Sequence, residues 1–149
     1  MRRMKLLAKN RRATFDYDIT ERLIAGLSLS GSEVKSIKAG HISLKGSFVS
    51  LREGEAFLSN AHVTPYAHSA AQDSGDPTRN RKLLLHRKQL DQLISYKQSG
   101  LSVVPTAVLQ DKRLIKLEIG IGRGKKRYDK RETIKQRDTN RELARQLKK

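Results

Sequence analysis

The chain has 149 residues, no cysteine and a net charge of +17. That length suits one domain, and the missing cysteines exclude a disulfide framework and a thiolate metal site. No apolar run approaches the ~20 residues that span a bilayer, and the basic start lacks the apolar stretch of a secretory signal, so a soluble cytoplasmic protein is expected.

The charge is unevenly placed. Residues 1–12 carry six basic residues and no acid, and residues 123–149 carry twelve basic and four acidic residues. The stretch between them holds fourteen basic and eleven acidic residues. A nearly balanced body between two strongly basic ends is the electrostatic footprint of a polyanion binder. Solubility alone is the plainer alternative, although a net charge of about 2–8 suffices for a small domain. The expected division is therefore a basic N-terminal arm over 1–12, a body over 13–122 and a basic C-terminal tail over 123–149.

In chain order, "FDYDI" (15–19) alternates as a half-buried strand does. "LIAGLSL" (23–29) continues it, with Gly26 as a bend or bulge. A short helix is predicted over 33–39, with Ser32 as N-cap, Glu33 in the first turn and Gly40 as the stop. Residues 43–63 read as a hairpin turning at "REGE" (52–55). Residues 64–81 form a long loop with two prolines. A second helix follows over 86–100, with Leu90, Leu93 and Ile94 at helical spacing and Gly100 as its end. "LSVVPTAVLQ" and "RLIKLEIGIG" pair as a hairpin across 111–112. Pro105 lacks a ladder donor and predicts an edge strand. Beyond residue 124 the apolar residues are too few to bury a face. That segment is expected to be disordered when free and helical when bound, with Gly124 as the pivot. The fold class expected is mainly β, a small closed OB-like barrel with a few flanking helices.

Catalytic patterns are wanting. His41, His62, His68 and His86 show no metal-ligand spacing, and no G-x-S-x-G occurs. "GIGRGKKRYDKR" (120–131) resembles a phosphate loop but fails its pattern. A Walker loop ending at Gly124–Lys125 needs glycine at Ile119 and a hydroxyl residue at Lys126. The expectation is a non-enzymatic protein without cofactor or metal. Basic clusters at 10–12, 79–82 and 124–131 point to nucleic-acid phosphates. Seven aromatics and no tryptophan argue against a stacking platform, so folded RNA read by shape and backbone fits best. Each cluster taken alone also fits a solvated face.

"GSEVKSIKAG" (31–40), "DPTRNRKLLLH" (76–86) and "GRGKKRYDKR" (122–131) together resemble, in order and separation, the signature blocks of the SsrA-binding protein (SmpB) family. "NRRATFDYDI" and "GEAFLSNAHVTPY" extend the similarity across about residues 8–140. The resemblance implies a monomeric, OB-type RNA-binding protein. Its partners would be the tRNA-like domain of transfer-messenger RNA and the stalled ribosome, in trans-translation. By motif it implies RNA-facing roles for Asn10, Arg11, Lys35, Lys38, Arg79, Arg81, Lys82 and Leu84. Asn60 and His62 would reach the RNA or pin the barrel, and Glu33 would order the helix start. In the tail it implies that Lys125, Lys126, Tyr128, Asp129, Lys130 and Arg131 lie in the empty message channel near the decoding centre. One position departs from the family, which commonly has an acid before the Ala–Gly pair of its first strand. Here that residue is Ile24, so either the contact is lost or a neighbour such as Glu21 supplies it. The alternative is a generic OB-type RNA-binding or ribosome-associated protein.

Overall fold

The structure is a computed structural model that describes residues 4–65 and 76–125, with residues 137 and 141. Its elements are β1 (Lys5–Lys9), α1 (Arg11–Asp16), β2 (Tyr17–Leu27), α2 (Gly31–Lys38), β3 (Ile42–Ser43) and β4 (Phe48–Arg52). They continue with β5 (Glu55–Ser59), β6 (His62–Val63), β7 (Arg81–Leu84), α3 (Arg87–Gln98), β8 (Ser102–Asp111) and β9 (Leu114–Gly124). Seven strands make one antiparallel sheet in the order β1-β8-β9-β2-β7-β5-β4, and β3 pairs with β6.

The mainly β class stands, but the expected closed barrel does not. β4 comes against β8, yet no ladder joins the two end strands β1 and β4. Closure needs an open edge to pair with. β9 already takes one side of β8, and β1 takes the other along Ala107–Gln110. The sheet therefore curls around its core without a continuous ring of hydrogen bonds.

The core face is set by strand alternation. Ile115, Leu117, Ile119 and Ile121 of β9 are buried at every second position, facing Ala25, Leu58, Val108 and the α3 residues Leu90 and Leu93. The opposite face of β9 is also closed, and this explains its alternating glycines. A Cβ on Gly122 would lie 1.9 Å from Asp18 O, and one on Gly120 would lie 2.7 Å from the Thr106 methyl. "GIG" thus belongs to the tight β2–β9 ladder, next to the bulge between Ile19 and Glu21.

Several local readings move. Ser30, not Ser32, caps α2: its Oγ accepts from Glu33 N–H at 3.3 Å, and Glu33 Oε1 accepts from Ser30 N–H at 3.0 Å. The 52–55 turn is as expected, with Glu53 and Gly54 at φ 49° and 73°, a type I′ pattern. The second hairpin turns at 112–113, one residue later than predicted. Pro105 lies at a β8 bulge, on the stretch before Ala107 that pairs with β9 alone, as an edge position would. Strand β1 ends beside it, and Asn10 donates from Nδ2 to Pro105 O at 2.8 Å and from N to Thr106 O at 2.7 Å.

Residues 5–9 do not form a free arm, because they pair with β8. Residues 15 and 16 end a helix before the strand begins. The Arg12–Asp16 pair at 3.1 Å, one turn apart, supports that short helix. β9 continues to Gly124, which pairs with Tyr17, so the expected pivot is fixed in the ladder.

Candidate nucleic-acid interface

A buried ion-pair cluster organises the region around α2. Glu33, 12% exposed, accepts from Arg79 at 2.5 Å and from Arg81 Nε at 2.7 Å. Burial opposes its ionised form, but hydrogen bonds from Arg79, Ser30 N–H and Arg81 outweigh burial and lower its pKa to about 2. Arg81 is 1% exposed. Its guanidinium also donates to Ala61 O at 2.8 Å, Pro77 O at 2.9 Å and Arg79 O at 3.2 Å. One guanidinium therefore ties α2, the corner before β6 and the 76–80 loop together. The loop is shaped locally as well: Asp76 Oδ1 accepts from Thr78 N–H and Oγ–H, each at 2.9 Å, and these bonds lower the Asp76 pKa.

This corrects the RNA-facing role expected of Arg81. Its donors are spent inside the protein, and it positions its neighbours. Its sequence neighbours alternate outward, because β7 presents Lys82 and Leu84 away from the core. Arg79 is half-exposed, with its guanidinium held on Glu33. Lys35 and Lys38 are exposed on α2. Helix α2 leads through Gly40 (φ 85°) into β3, where Ser43 pairs with His62. His62 is exposed, and Asn60 (φ 62°) donates to Gly46 O at 3.1 Å, pinning the adjacent turn.

Two clefts flank these residues. One, of about 340 Å³, lies between the β1–α1 junction and the chain after β3, lined by Lys9, Asn10, Arg11, Arg12 and Lys45 over Ala8, Ile42 and Leu44. No acid lines it, so its potential is positive. Asn10 shapes this wall through its bonds to Pro105 and Thr106. Arg11 is exposed on it. The second, of about 520 Å³, lies along β2, β7 and β9 with Ile24, Lys82, Leu84, His86, Gln89 and Lys116. Leu84 is 55% exposed there, and Lys82 pairs with Glu55 at 3.1 Å. Of the predicted body residues, Asn10 and Arg11 line the first cleft and Lys82 and Leu84 the second, while Lys35, Lys38, Asn60, His62, Arg79 and Arg81 line neither.

The acid missing at Ile24 is not supplied by Glu21. Three residues along a strand is the opposite face, and Glu21 accepts from the Tyr96 hydroxyl of α3, which raises the Tyr96 pKa. The register places Glu118 of β9 opposite Ile24 instead. Its carboxylate accepts from Thr106 Oγ–H at 2.9 Å and lies 3.4 Å from Arg22. The pairing of Glu118 with Ile24 is not visible in either strand's sequence, because register joins residues about a hundred positions apart.

Of the tail residues, Lys125 is bound to α1: its N–H donates to Asp16 O at 2.8 Å and Nζ to Thr14 O at 3.2 Å. Lys126, Tyr128, Asp129, Lys130 and Arg131 lie outside the described residues, as does the expected disorder-to-helix change of the tail. No helix among the described residues is long and apolar enough to cross a membrane.

Comparison with known proteins supplies the family. The SmpB protein family model matches residues 7–149. The SsrA-binding protein of Synechococcus sp. (strain JA-3-3Ab) is 48% identical over 146 residues, covering 97% of this chain and 95% of the relative. That of Coprothermobacter proteolyticus is 47% identical over 147 residues, covering 97% and 98%. A solved chain described under "tmRNA-SmpB: a journey to the center of the bacterial ribosome" superposes with a TM-score of 0.67 at 40% identity, covering 85% of this chain and 93% of that one. With the order of its signature blocks, its β-rich fold and near full-length similarity to several SsrA-binding proteins, the chain belongs to the SmpB protein family.

Proposed function

We propose that this protein binds the tRNA-like domain of transfer-messenger RNA and delivers it to stalled ribosomes for trans-translation. The family match over residues 7–149 carries the reading. The charge supports it: both clefts present lysines or arginines to a polyanion, and neither contains an arranged nucleophile and base. The protein works by binding and positioning in the cytoplasm, as one unit with its partner RNA.

In this reading Lys35, Lys38, Asn60, His62, Lys82 and Leu84 contact RNA from the body, with Arg11 in the basic cleft. Arg79 and Asn10 contribute partly by shaping those surfaces, and Arg81 contributes only by positioning. The tail residues Lys126, Tyr128, Asp129, Lys130 and Arg131 engage the ribosome, and Lys125 anchors the start of the tail on α1. Glu118 stands beside the position where the family commonly has its acid. A pull-down of the tagged full chain from bacterial lysate, with sequencing of the bound RNA, tests this. Transfer-messenger RNA should dominate over bulk tRNA. Recovery of RNAs in proportion to their abundance would contradict it.

A further inference from the structure

We propose that the α1 face carrying Phe15 is a docking surface for the C-terminal segment of this same chain. Two contacts at either end of one stretch of chain place it there. Lys125 donates to the Asp16 and Thr14 carbonyls. Twelve residues later, the Arg137 guanidinium lies 5.8 Å from the Phe15 ring centroid. Thr14, Phe15 and Asp16 are consecutive residues of a six-residue helix. Lys125 and Arg137 therefore both meet α1.

The chemistry of the face selects its occupant. Phe15 offers a π surface, and the Arg12 guanidinium is already 5.4 Å from the same ring centroid. The Asp16 carboxylate holds Arg12 at 3.1 Å and offsets the repulsion between two guanidiniums on one ring. A planar, weakly hydrated guanidinium suits such a ring better than an ammonium does. Contacts of this kind at an exposed site favour the bound state by only about two- to five-fold. The docked state is thus weakly held and easily displaced. A polyanion that takes Arg137 with several neighbouring cations outcompetes a single ring. The segment between the two contacts carries five basic and two acidic residues, so it is itself a target for that polyanion.

The absence of cysteine allows a direct test on the full chain. A single nitroxide is attached through Asn140→Cys, and its relaxation effect on the body amides is read by NMR. Amides of residues 12–17 should broaden more than the rest of the body. Arg137→Gln should lower that effect about two- to five-fold, Arg137→Lys should lower it less, and a 20-nucleotide poly-U should remove it. The proposal fails if α1 is broadened no more than the rest of the body. It also fails if Arg137→Gln matches the unsubstituted chain, or if poly-U leaves the effect in place. No tRNA-like RNA is used, so failure here leaves the proposed function standing.

Discussion

Glu33 and Gly122 show what single residues decide. The folded pKa of Glu33 lies near 2, below its ordinary 4.5. Its contribution to stability is therefore fully present above about pH 4.5 and is lost as pH falls toward 2. Glu33→Gln should cost about 3 kcal/mol at pH 7, because Arg81 stays buried without its counter-charge. Urea denaturation at pH 7 and at pH 2.5 checks this: the gap between variant and parent should shrink at the lower pH. An unchanged gap would assign the cost to packing instead. Gly122 tests the reading of "GIG". Gly122→Ala should cost at least about 3 kcal/mol, since its Cβ would collide with backbone at Asp18 rather than with a movable side chain. Gly31→Ala is the contrast: nothing lies within 4 Å of a Cβ there, so thermal unfolding should rise slightly or stay level.

Elements differ in how far the sequence reveals them, and the difference follows the range of the forces involved. The β4–β5 turn was legible because its geometry depends on Glu53 and Gly54 alone. The span of α3 was legible because Leu90, Leu93 and Gly100 mark one face and one end. Ser30 rather than Ser32 caps α2 because Glu33 lies three residues after it, a capping-box spacing that is itself legible in the sequence. Strand β1 looks like an arm in the sequence because its partner β8 lies about a hundred residues away, where no local pattern reaches. For the same reason the closed barrel was expected: the occupied edge of β8 is a property of the assembled sheet. Arg81 resembles its neighbours Arg79 and Lys82 in the sequence, yet β7 alternation turns Lys82 outward while Arg81 is buried, and Arg79 lies in the loop before the strand. The turn allows a forward test. Glu53 occupies a left-handed φ that favours asparagine, so Glu53→Asn should stabilise the hairpin by roughly 0.5–1 kcal/mol. A lowered thermal midpoint would mean that Glu53 makes a compensating contact.

Across the whole molecule, charge divides the work. In the proposed function the body brings both clefts to folded RNA, while the segment after Lys125 carries ten basic and four acidic residues. Truncation after Lys125 should leave affinity for the tRNA-like RNA within about tenfold, reduce its salt dependence, and abolish tagging in a reconstituted translation system. Lys125 is retained because it completes the α1 contact. Loss of RNA binding on truncation would show that body and tail bind as one surface. The most direct measurement for the central claim is competition on the full chain at fixed physiological salt. The tRNA-like domain of transfer-messenger RNA should outcompete a poly-U strand of equal length by at least about a hundredfold, because shape as well as charge is recognised. Equal affinities would contradict recognition of that RNA and reduce the protein to a general polyanion binder.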